Sequence, residues 1–392
     1  MTLDARAERS RREVAATLAQ MPSASRGDIQ AATGLGASTV ASVVRDLIAE
    51  GRVRELPPGE SRGPGRPSSR LILDDLPGHV IGVDIGHRHV AVAVASTAER
   101  ILAECRVEND GTLGADALIE QVVVSVAALL ETNGLDRSSV LRCVVSVPAP
   151  LEPLTGRVHD GPIIVDVWRG RLPAHELAAA LRVPVTGTND ANAGALGEHV
   201  HGVGRGTDDL VYVNATTGIG AGLVLGGRLY PGHDGAAGEI GHIRLSGATG
   251  LCRCGQRGCL ESEAALPALV PRLAAVGVHV PPGIGFDEVL RQHADHPAVR
   301  RLLAEAGRDL GSVLADICNL LSPAMVIVGG ELAAGGEPLR DGIVESLRRY
   351  ALSTISSTVQ VVFSSLGSRA ELVGAVALAA SEARSRGRAT SD

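Results

Sequence analysis

The sequence contains no uninterrupted apolar run of about 18 residues, the length that a membrane-spanning helix requires. Its amino-terminal stretch is rich in arginine, contains glutamate and has no apolar core of the kind that a secretory signal carries. These absences argue against insertion into a membrane and against secretion. We therefore expect a cytoplasmic protein with no membrane partner.

The chain also has no excess of basic residues. Lys plus Arg number 37 and Asp plus Glu number 44, so the formal net charge is 37 − 44 = −7, and the molecule as a whole repels nucleic acid. Residues 1–70 differ, because eleven Arg stand there against eight acidic residues, a balance of +3 that leaves −10 for the remainder. Any contact with DNA must come from this segment.

The cysteines do not have the spacing of a disulfide framework. Three of the six, Cys252, Cys254 and Cys259, lie within eight residues. Disulfide bonds among them could not cross-link distant parts of a large fold. Their clustering favours metal binding. The scattered Cys105, Cys143 and Cys318 stand among apolar neighbours and are predicted to be packing residues.

The first 56 residues of the 392 predict a winged helix-turn-helix. A helix over Ala7–Gln20 precedes a short helix capped by Ser25 and ended by Gly34, and a third helix starts near Ser38. The third helix directs one apolar stripe inward, formed by Val40, Val43, Val44, Leu47 and Ile48. Its opposite face supplies the candidate DNA contacts Ser38, Thr39, Ser42 and Arg45.

A wing strand is predicted over Arg52–Glu55, followed by a wing tip and linker over residues 57–76 that are rich in proline and glycine. Arg62 and Arg66 in this linker are candidates to reach DNA phosphate or the minor groove. The alternative for the whole segment is a plain helical bundle followed by a solvated basic linker.

Two loops of small residues suggest phosphate binding. Apolar runs at Val80–Val83 and Val90–Ala95 flank a turn with Asp84 and Gly86. The glycine lets backbone amides approach a phosphate, and the carboxylate can hold hydrated magnesium. Thr217 and Gly218 lie in the second loop, after a strand predicted at Leu210–Val213. Ordinary turns also contain such residues.

Asn189 and Asp190 follow a strand predicted at Val183–Val185 and open a helical stretch that runs to Glu198. A carboxylate at this place can accept a proton from a sugar hydroxyl while neighbouring amides hold other hydroxyls. The alternative is simple helix capping.

The sharpest local pattern is His242 followed, ten residues later, by Cys252, Cys254 and Cys259. These four residues supply the ligands of a closed tetrahedral zinc site, which is structural because no coordination position stays open. The alternative is a group of unpaired surface thiols. The same loop carries Glu239 and Glu261, which the metal would hold toward a polyhydroxylated ligand.

Together these motifs resemble the ROK family of bacterial repressors and sugar kinases, and the resemblance covers nearly the whole chain. It implies an α/β effector domain over residues 77–392, a two-lobed actin-like ATPase fold, and a homodimer or homotetramer. It also assigns the sugar-binding positions, the catalytic base of the kinases and the zinc ligands. The sugar-binding positions are Asn189, Asp190, Glu239, His242 and Glu261. The position of the catalytic base is Asp190, and the zinc ligands are His242, Cys252, Cys254 and Cys259.

Three departures from the family's kinases indicate weakened nucleotide binding. His87, Arg88 and His89 replace the small residues of the first phosphate loop, Thr216 stands in place of a usual glycine, and Glu331 would repel ATP phosphates. We therefore predict a sugar-responsive regulator that binds a double-stranded DNA operator, with the linker around Pro57–Pro67 transmitting lobe closure. The alternative is an ATP- and magnesium-dependent hexokinase-type enzyme with Asp190 as base, or a bifunctional protein.

Overall fold

A computed structural model describes residues 3–21, 23–49, 53–56, 69–73, 78–109, 111–159, 167–281 and 283–389. The amino-terminal module contains three helices and a two-stranded antiparallel sheet. These elements are α1 (Leu3–Gln20), α2 (Arg26–Thr33), α3 (Ala37–Ala49), β1 (Val53–Leu56) and β2 (Arg70–Leu73).

Local capping sets the bounds of α2. The Ser25 hydroxyl accepts a hydrogen bond from the Asp28 amide at 3.1 Å, and the Asp28 carboxylate accepts one from the Ser25 amide at 2.8 Å. Such a capping box satisfies amides that the first helical turn leaves without partners. Gly34, with φ of 70°, ends the helix in the left-handed conformation that favours glycine.

The predicted inward stripe of α3 forms the core of the module. Val40, Val43, Val44 and Leu47 are buried there and Ile48 is half-buried. They pack with Val14 and Leu18 of α1. Strand β2 lies inside the segment 57–76 that the sequence assigns to wing tip and linker, and it pairs with β1 from Val53↔Leu73 to Leu56↔Arg70.

The rest of the described chain forms two lobes, each with a five-stranded sheet. The first sheet has the order β5-β4-β3-β6-β7 and the second has β10-β9-β8-β11-β12. In both, three antiparallel strands continue into parallel ones. The equal topology is that of two related α/β halves.

The elements of the first lobe are β3 (His79–Ile85), β4 (His89–Ser96), β5 (Ile101–Glu108), α4 (Ala115–Thr132), β6 (Val140–Val147), α5 (Pro173–Leu181) and β7 (Val185–Asn189). Helix α6 (Asp190–Val200) follows. The second lobe contains β8 (Leu210–Ala215), β9 (Ile219–Leu225), β10 (Arg228–Leu229), α7 (Leu260–Ala264), α8 (Leu266–Ala275), α9 (Phe286–Gln292), α10 (Pro297–Leu321), β11 (Met325–Gly329), α11 (Gly336–Tyr350), α12 (Ser353–Ser356) and β12 (Gln360–Phe363). The last helix is α13 (Ala370–Ala389).

Strand β3 is apolar from Val80 to Val83, ahead of the buried Asp84, because both of its faces are covered. Ile81, Val83 and Ile85 face the core beneath α4, whereas Val80 packs with residues of α13 on the other face. A strand buried on both sides needs a continuous apolar run rather than an alternating one. In the part of the chain that the structure describes, no helix combines the length and apolarity needed to cross a bilayer.

Candidate functional site

Four side chains converge into what we call the metal cluster: His242, Cys252, Cys254 and Cys259. Their ligand atoms all lie within 4.8 Å of one another, and the three cysteines are buried. The closest pairs are Cys254 Sγ to Cys259 Sγ at 3.6 Å and Cys252 Sγ to His242 Nδ1 at 3.7 Å. A tetrahedral zinc ion bound by nitrogen and sulfur gives ligand–ligand distances of about 3.3–3.8 Å. The donor set and its spacing therefore fit a metal ion.

The scattered cysteines lie elsewhere. Cys143 and Cys318 are fully buried packing residues, in agreement with the sequence prediction, and Cys105 on β5 is half-buried. The predicted metal ligands are thus separated from the other thiols.

Asn189 and Asp190 lie at the junction of β7 and α6. Asn189 Oδ1 caps the helix by accepting a hydrogen bond from the Asn192 amide at 3.2 Å, and its Nδ2 donates to Asp190 Oδ1 at 3.0 Å. Asp190 Oδ1 also accepts from the Ala191 amide at 2.8 Å, and Oδ2 accepts from Asn214 Nδ2 at 3.1 Å. Capping and a candidate site role therefore coexist at these residues.

The pKa of Asp190 is raised to about 6, first by burial and also by the nearby Asp84 carboxylate. Burial disfavours the charged form of a carboxyl, and a second negative charge acts in the same direction. A carboxyl with this pKa can accept a proton near neutral pH.

Glu239 and Glu261 complete, with Asp190, what we call the carboxylate cluster. Burial raises the pKa of Glu239 to about 7, with further contributions from Asp190 and Glu261. Gly238 brings Glu239 close to β9, because its φ is 94° and a Cβ there would stand 1.8 Å from the Ala221 carbonyl oxygen.

The metal cluster adjoins the carboxylate cluster through His242. While Nδ1 faces Cys252, Nε2 lies 3.9 Å from Glu239 Oε2. A carboxylate beside the second ring nitrogen of a metal-binding histidine is a common arrangement that fixes the ring.

Glu261 is held by a neighbour that the sequence interpretation left without a role. Arg253, between two cysteines of the metal cluster, donates to Glu261 Oε1 at 2.8 Å and to Oε2 at 3.1 Å. Oε2 also accepts a hydrogen bond from the Ile219 amide at 3.2 Å. The loop that carries the metal ligands therefore places a guanidinium directly on the carboxylate cluster.

The first loop, which we define as residues 84–89, is filled by its own side chains. His89 Nε2 lies 2.7 Å from Asp84 Oδ2, and Ser146 Oγ donates to Asp84 Oδ1 at 3.2 Å. A Cβ on Gly86 would stand only 2.1 Å from the His89 ring. The carboxylate that would hold hydrated magnesium is thus occupied, and the imidazole covers the glycine that would let a phosphate approach.

The other two bulky residues of the first loop reach the second lobe. Burial lowers the pKa of His87 to about 4, and the positive charge of Arg253 acts in the same direction, whereas the negative charge of Glu261 opposes the shift. Arg88 Nη2 lies 3.4 Å from Glu331 Oε1, and Glu331 Oε2 accepts a hydrogen bond from the Phe286 amide at 2.9 Å. Glu331, predicted to face ATP phosphates, is therefore paired across the cleft between the lobes.

The second loop lies against the carboxylate cluster. Thr217 and Gly218 are half-buried, and a Cβ on Gly218 would stand 2.8 Å from Glu261 Oε2 and 2.9 Å from Arg253 Nη2. The predicted phosphate positions are therefore divided between the first loop and this loop.

The candidate DNA contacts share one face of α3. Ser38, Ser42 and Arg45 are exposed and Thr39 is half-buried, opposite the apolar stripe. Arg62 and Arg66 lie outside the described residues.

The profile of the ROK family matches residues 80–382. The chain belongs to the ROK family. This membership agrees with the resemblance found in the sequence, and with the equal sheets of an α/β actin-like fold.

Three similar proteins match different shares of this chain. A xylose repressor of Caldicellulosiruptor bescii is 27% identical over 373 residues, which is 91% of this chain and 92% of that protein. A crystal structure of a ROK family transcriptional regulator, described as a homologue of the E. coli MLC protein, covers 95% of this chain and 96% of its own at 23% identity and a TM-score of 0.71. A ROK family glucokinase of Streptomyces griseus, solved with glucose and AMPPNP, covers 77% of this chain and 99% of its own at 33% identity and a TM-score of 0.65.

The matches thus differ in the share of this chain that they cover. The glucokinase covers about three quarters of the chain, whereas the regulator and the repressor also extend over nearly all of the remainder. Fold similarity to the regulator therefore includes the amino-terminal module.

Sequence reasoning overlooked Asn214 as well as Arg253. Asn214 is a buried polar residue near the end of the apolar strand β8, and it contacts Asp190 across the two lobes. An amide interrupting a buried strand is itself an indication of a site, because a buried polar group requires a partner.

Proposed function

We propose that this protein is a sugar-responsive DNA-binding transcriptional repressor of the ROK family. One observation carries the proposal: the carboxylate cluster keeps polar groups for a ligand, while the first loop is closed by its own side chains. The similarity to a repressor over 91% of the chain supports the same conclusion. Cytoplasmic location follows from this role.

The sugar would bind at the carboxylate cluster with Asn189. Among the described residues, Glu239 accepts no hydrogen bond, and the buried Asn214 Oδ1 has no partner. A buried acceptor without a donor is costly, so a ligand hydroxyl that donates to it stabilises the complex. A polyhydroxylated molecule supplies several such donors at once. His242 would take part as well, because its Nε2 lies 3.9 Å from Glu239 Oε2 while its Nδ1 faces the metal cluster.

Zinc is the ion that we propose for the metal cluster. Three thiolates and one imidazole are soft and borderline donors that prefer zinc to magnesium or calcium. With four protein ligands the ion is structural, and it would fix the loop that holds Arg253, Glu239 and Glu261.

The amino-terminal module would act as a winged helix-turn-helix, with α3 as its recognition helix and the β1–β2 pair as the wing. Ser38, Thr39, Ser42 and Arg45 would meet base edges in the major groove, and Arg62 and Arg66 would meet phosphate or the minor groove. A homodimer or homotetramer would present two such helices to two half-sites of an operator. The DNA-binding domain would then comprise residues 1–56, the wing tip and linker residues 57–76, and the sugar-binding effector domain residues 77–392.

Selection of genomic fragments by the purified protein, followed by anisotropy titration with and without sugars, tests this function. We expect one fragment to bind specifically and its affinity to change with xylose, glucose or an N-acetylhexosamine. Arg45→Ala should weaken operator binding by about 1–3 kcal/mol, because a base contact is lost. Arg291→Ala on the surface of α9 serves as the control. Recovery of no specific fragment would contradict the proposal.

A sugar kinase is the second candidate, and the pKa of Asp190 near 6 is the observation that favours it. Asp190 would remove the proton from a sugar hydroxyl, and magnesium ATP would donate the phosphoryl group. A coupled assay with hexoses decides this candidate, which requires turnover above background that disappears in Asp190→Asn.

A further inference from the structure

Helix α6 has the candidate sugar site at one end and a contact with the amino-terminal module at the other. It begins at Asp190 and spans 11 residues, a length of about 16 Å. Near its carboxyl end, the buried His199 lies against α1, where its Nε2 is 3.1 Å from Arg12 Nη1. One rigid element thus joins the two regions that must communicate.

Arg12 is held by three acceptors of the effector domain. Besides His199, Arg12 Nη2 donates to Asp208 Oδ1 at 3.1 Å, and Nη1 donates to the Gly227 carbonyl oxygen. Burial, and then the Arg12 charge, lower the pKa of His199, so its imidazole is neutral and accepts the hydrogen bond. The Arg12 guanidinium therefore contacts α6 and the second-lobe segments around Asp208 and Gly227 at the same time.

The packing around α6 differs between its two neighbours. Against α13 the backbones approach closely, because a Cβ on Gly374 would stand 1.8 Å from the Ala193 carbonyl oxygen and one on Gly197 would stand 2.3 Å from that of Ala370. Such a close-packed helix pair moves as a unit.

Against α1, a cavity of about 620 Å³ separates the helices. Small side chains of α1, Ala15 and Ala16, line it together with Leu196 and Val200 of α6. Because this space is not close-packed, α1 can shift relative to α6 without a steric clash. The polar contacts of Arg12 then contribute to the position of α1.

We propose that α6 couples the sugar site to the DNA-binding module, and that Arg12 is the residue through which the coupling passes. This inference rests on the proposed function and names its route of regulation. A sugar that binds one arrangement of α6 more tightly shifts the population toward it, and with it the position of α1. The route runs through folded contacts rather than through the linker at Pro57–Pro67, which lies outside the described residues.

Arg12→Ala and Arg9→Ala form the matched pair of variants. Arg9 lies on the same helix and the same cavity, but its ion pair is with Glu13 of α1 itself, at 3.1 Å. For each variant, the operator Kd is measured by anisotropy with and without the sugar that most raises the melting temperature, and the sugar Kd is measured by calorimetry.

Allosteric coupling changes affinity by about 5- to 150-fold in typical proteins. We expect Arg9→Ala to keep the wild-type ratio of the two operator Kd values. In Arg12→Ala the ratio should fall to within about twofold of unity while the sugar Kd stays unchanged. A purely structural role of Arg12 would lower the melting temperature without changing this ratio.

Asp208→Asn provides a second variant that preserves shape and removes one charged acceptor of Arg12. It should reduce the ratio in the same direction. Retention of the full wild-type ratio in both Arg12→Ala and Asp208→Asn overturns the α6 route but leaves the proposed function intact. Absence of any sugar effect on operator binding by the wild-type protein overturns the proposed function, and the route with it.

Discussion

The carboxylate cluster and the first loop face the same cleft but differ in how their polar groups are used. Glu239 of the carboxylate cluster and the neighbouring side-chain Oδ1 of Asn214 lack donors among the described residues. In the first loop, His89 covers Asp84, and Arg88 pairs with Glu331 of the opposite lobe. One half of the cleft thus keeps acceptors without donors among the described residues, whereas side chains of the other half pair with one another.

On the proposed function, this difference would separate ligand recognition from phosphoryl transfer within one fold. Phosphoryl transfer needs metal-bound phosphates positioned over the first loop, where His89 pairs with Asp84 and covers Gly86. Sugar recognition needs only donors and acceptors in fixed places, which the proposal assigns to the carboxylate cluster and Asn189. Function therefore follows the site rather than the fold.

Among the variants, removal of a metal ligand should have the largest effect on sugar binding. In Cys259→Ser we expect bound zinc to fall by at least about tenfold and sugar binding to be lost, because the loop carrying Glu239 and Glu261 is no longer fixed. Metal content by mass spectrometry and sugar binding by calorimetry measure these effects. Cys105→Ser on β5 should leave both unchanged. Full sugar affinity in metal-free protein would contradict the role of the metal cluster.

Asp190→Asn should weaken sugar binding by about 10- to 100-fold, because a hydrogen bond to a charged acceptor contributes about 1.5–3 kcal/mol. Asparagine preserves the shape of the side chain but turns a donor toward the Asn214 amide. Operator affinity without sugar should not change. Calorimetry and anisotropy give the two values, and an unaltered sugar Kd would remove Asp190 from the site.

Sugar binding should also depend on pH through Asp190. Its pKa is raised to about 6, so the carboxyl is largely protonated at pH 5 and ionised at pH 7. Since sugar hydroxyls donate to the ionised form, ionisation of Asp190 should raise the affinity about tenfold from pH 5 to pH 7, and ionisation of Glu239, whose pKa is about 7, should extend the rise above pH 7. Calorimetry across this range should give a flatter profile for Asp190→Asn. Affinity that falls as pH rises would contradict the assignment.

The smallest effect is expected in the first loop. Arg88 and Glu331 are partly exposed, so their ion pair contributes little energy, and Arg88→Ala should change the sugar Kd by less than about twofold. Glu331→Gln, which keeps the acceptor for the Phe286 amide, should behave in the same way. Loss of sugar binding in either variant would show that the first loop belongs to the sugar site.

Features determined by residues close in the chain could be predicted from the sequence. The metal cluster spans 18 positions, and the capping box of α2 spans four, so spacing alone indicates both. The apolar stripe of α3 likewise follows from helical periodicity.

Features that depend on the meeting of distant segments could not be predicted. Arg88 and Glu331 are 243 positions apart, and Arg12 and His199 are 187 apart. Strand β2 escaped prediction because it pairs with β1 across a segment rich in proline and glycine. Strand β7 lies at Val185–Asn189 rather than at Val183–Val185, since its Thr-Gly-Thr stretch forms a half-buried edge strand without an apolar pattern.

An anisotropy titration of the selected operator with the zinc-loaded protein tests the central claim most directly. It is carried out with sugar alone and with sugar plus magnesium ATP, and the sugar is recovered afterwards for analysis. The account predicts that sugar alone changes the operator Kd, that ATP adds nothing, and that the sugar is recovered unphosphorylated. An operator Kd that does not change when sugar is added, together with recovery of a sugar phosphate, would contradict it.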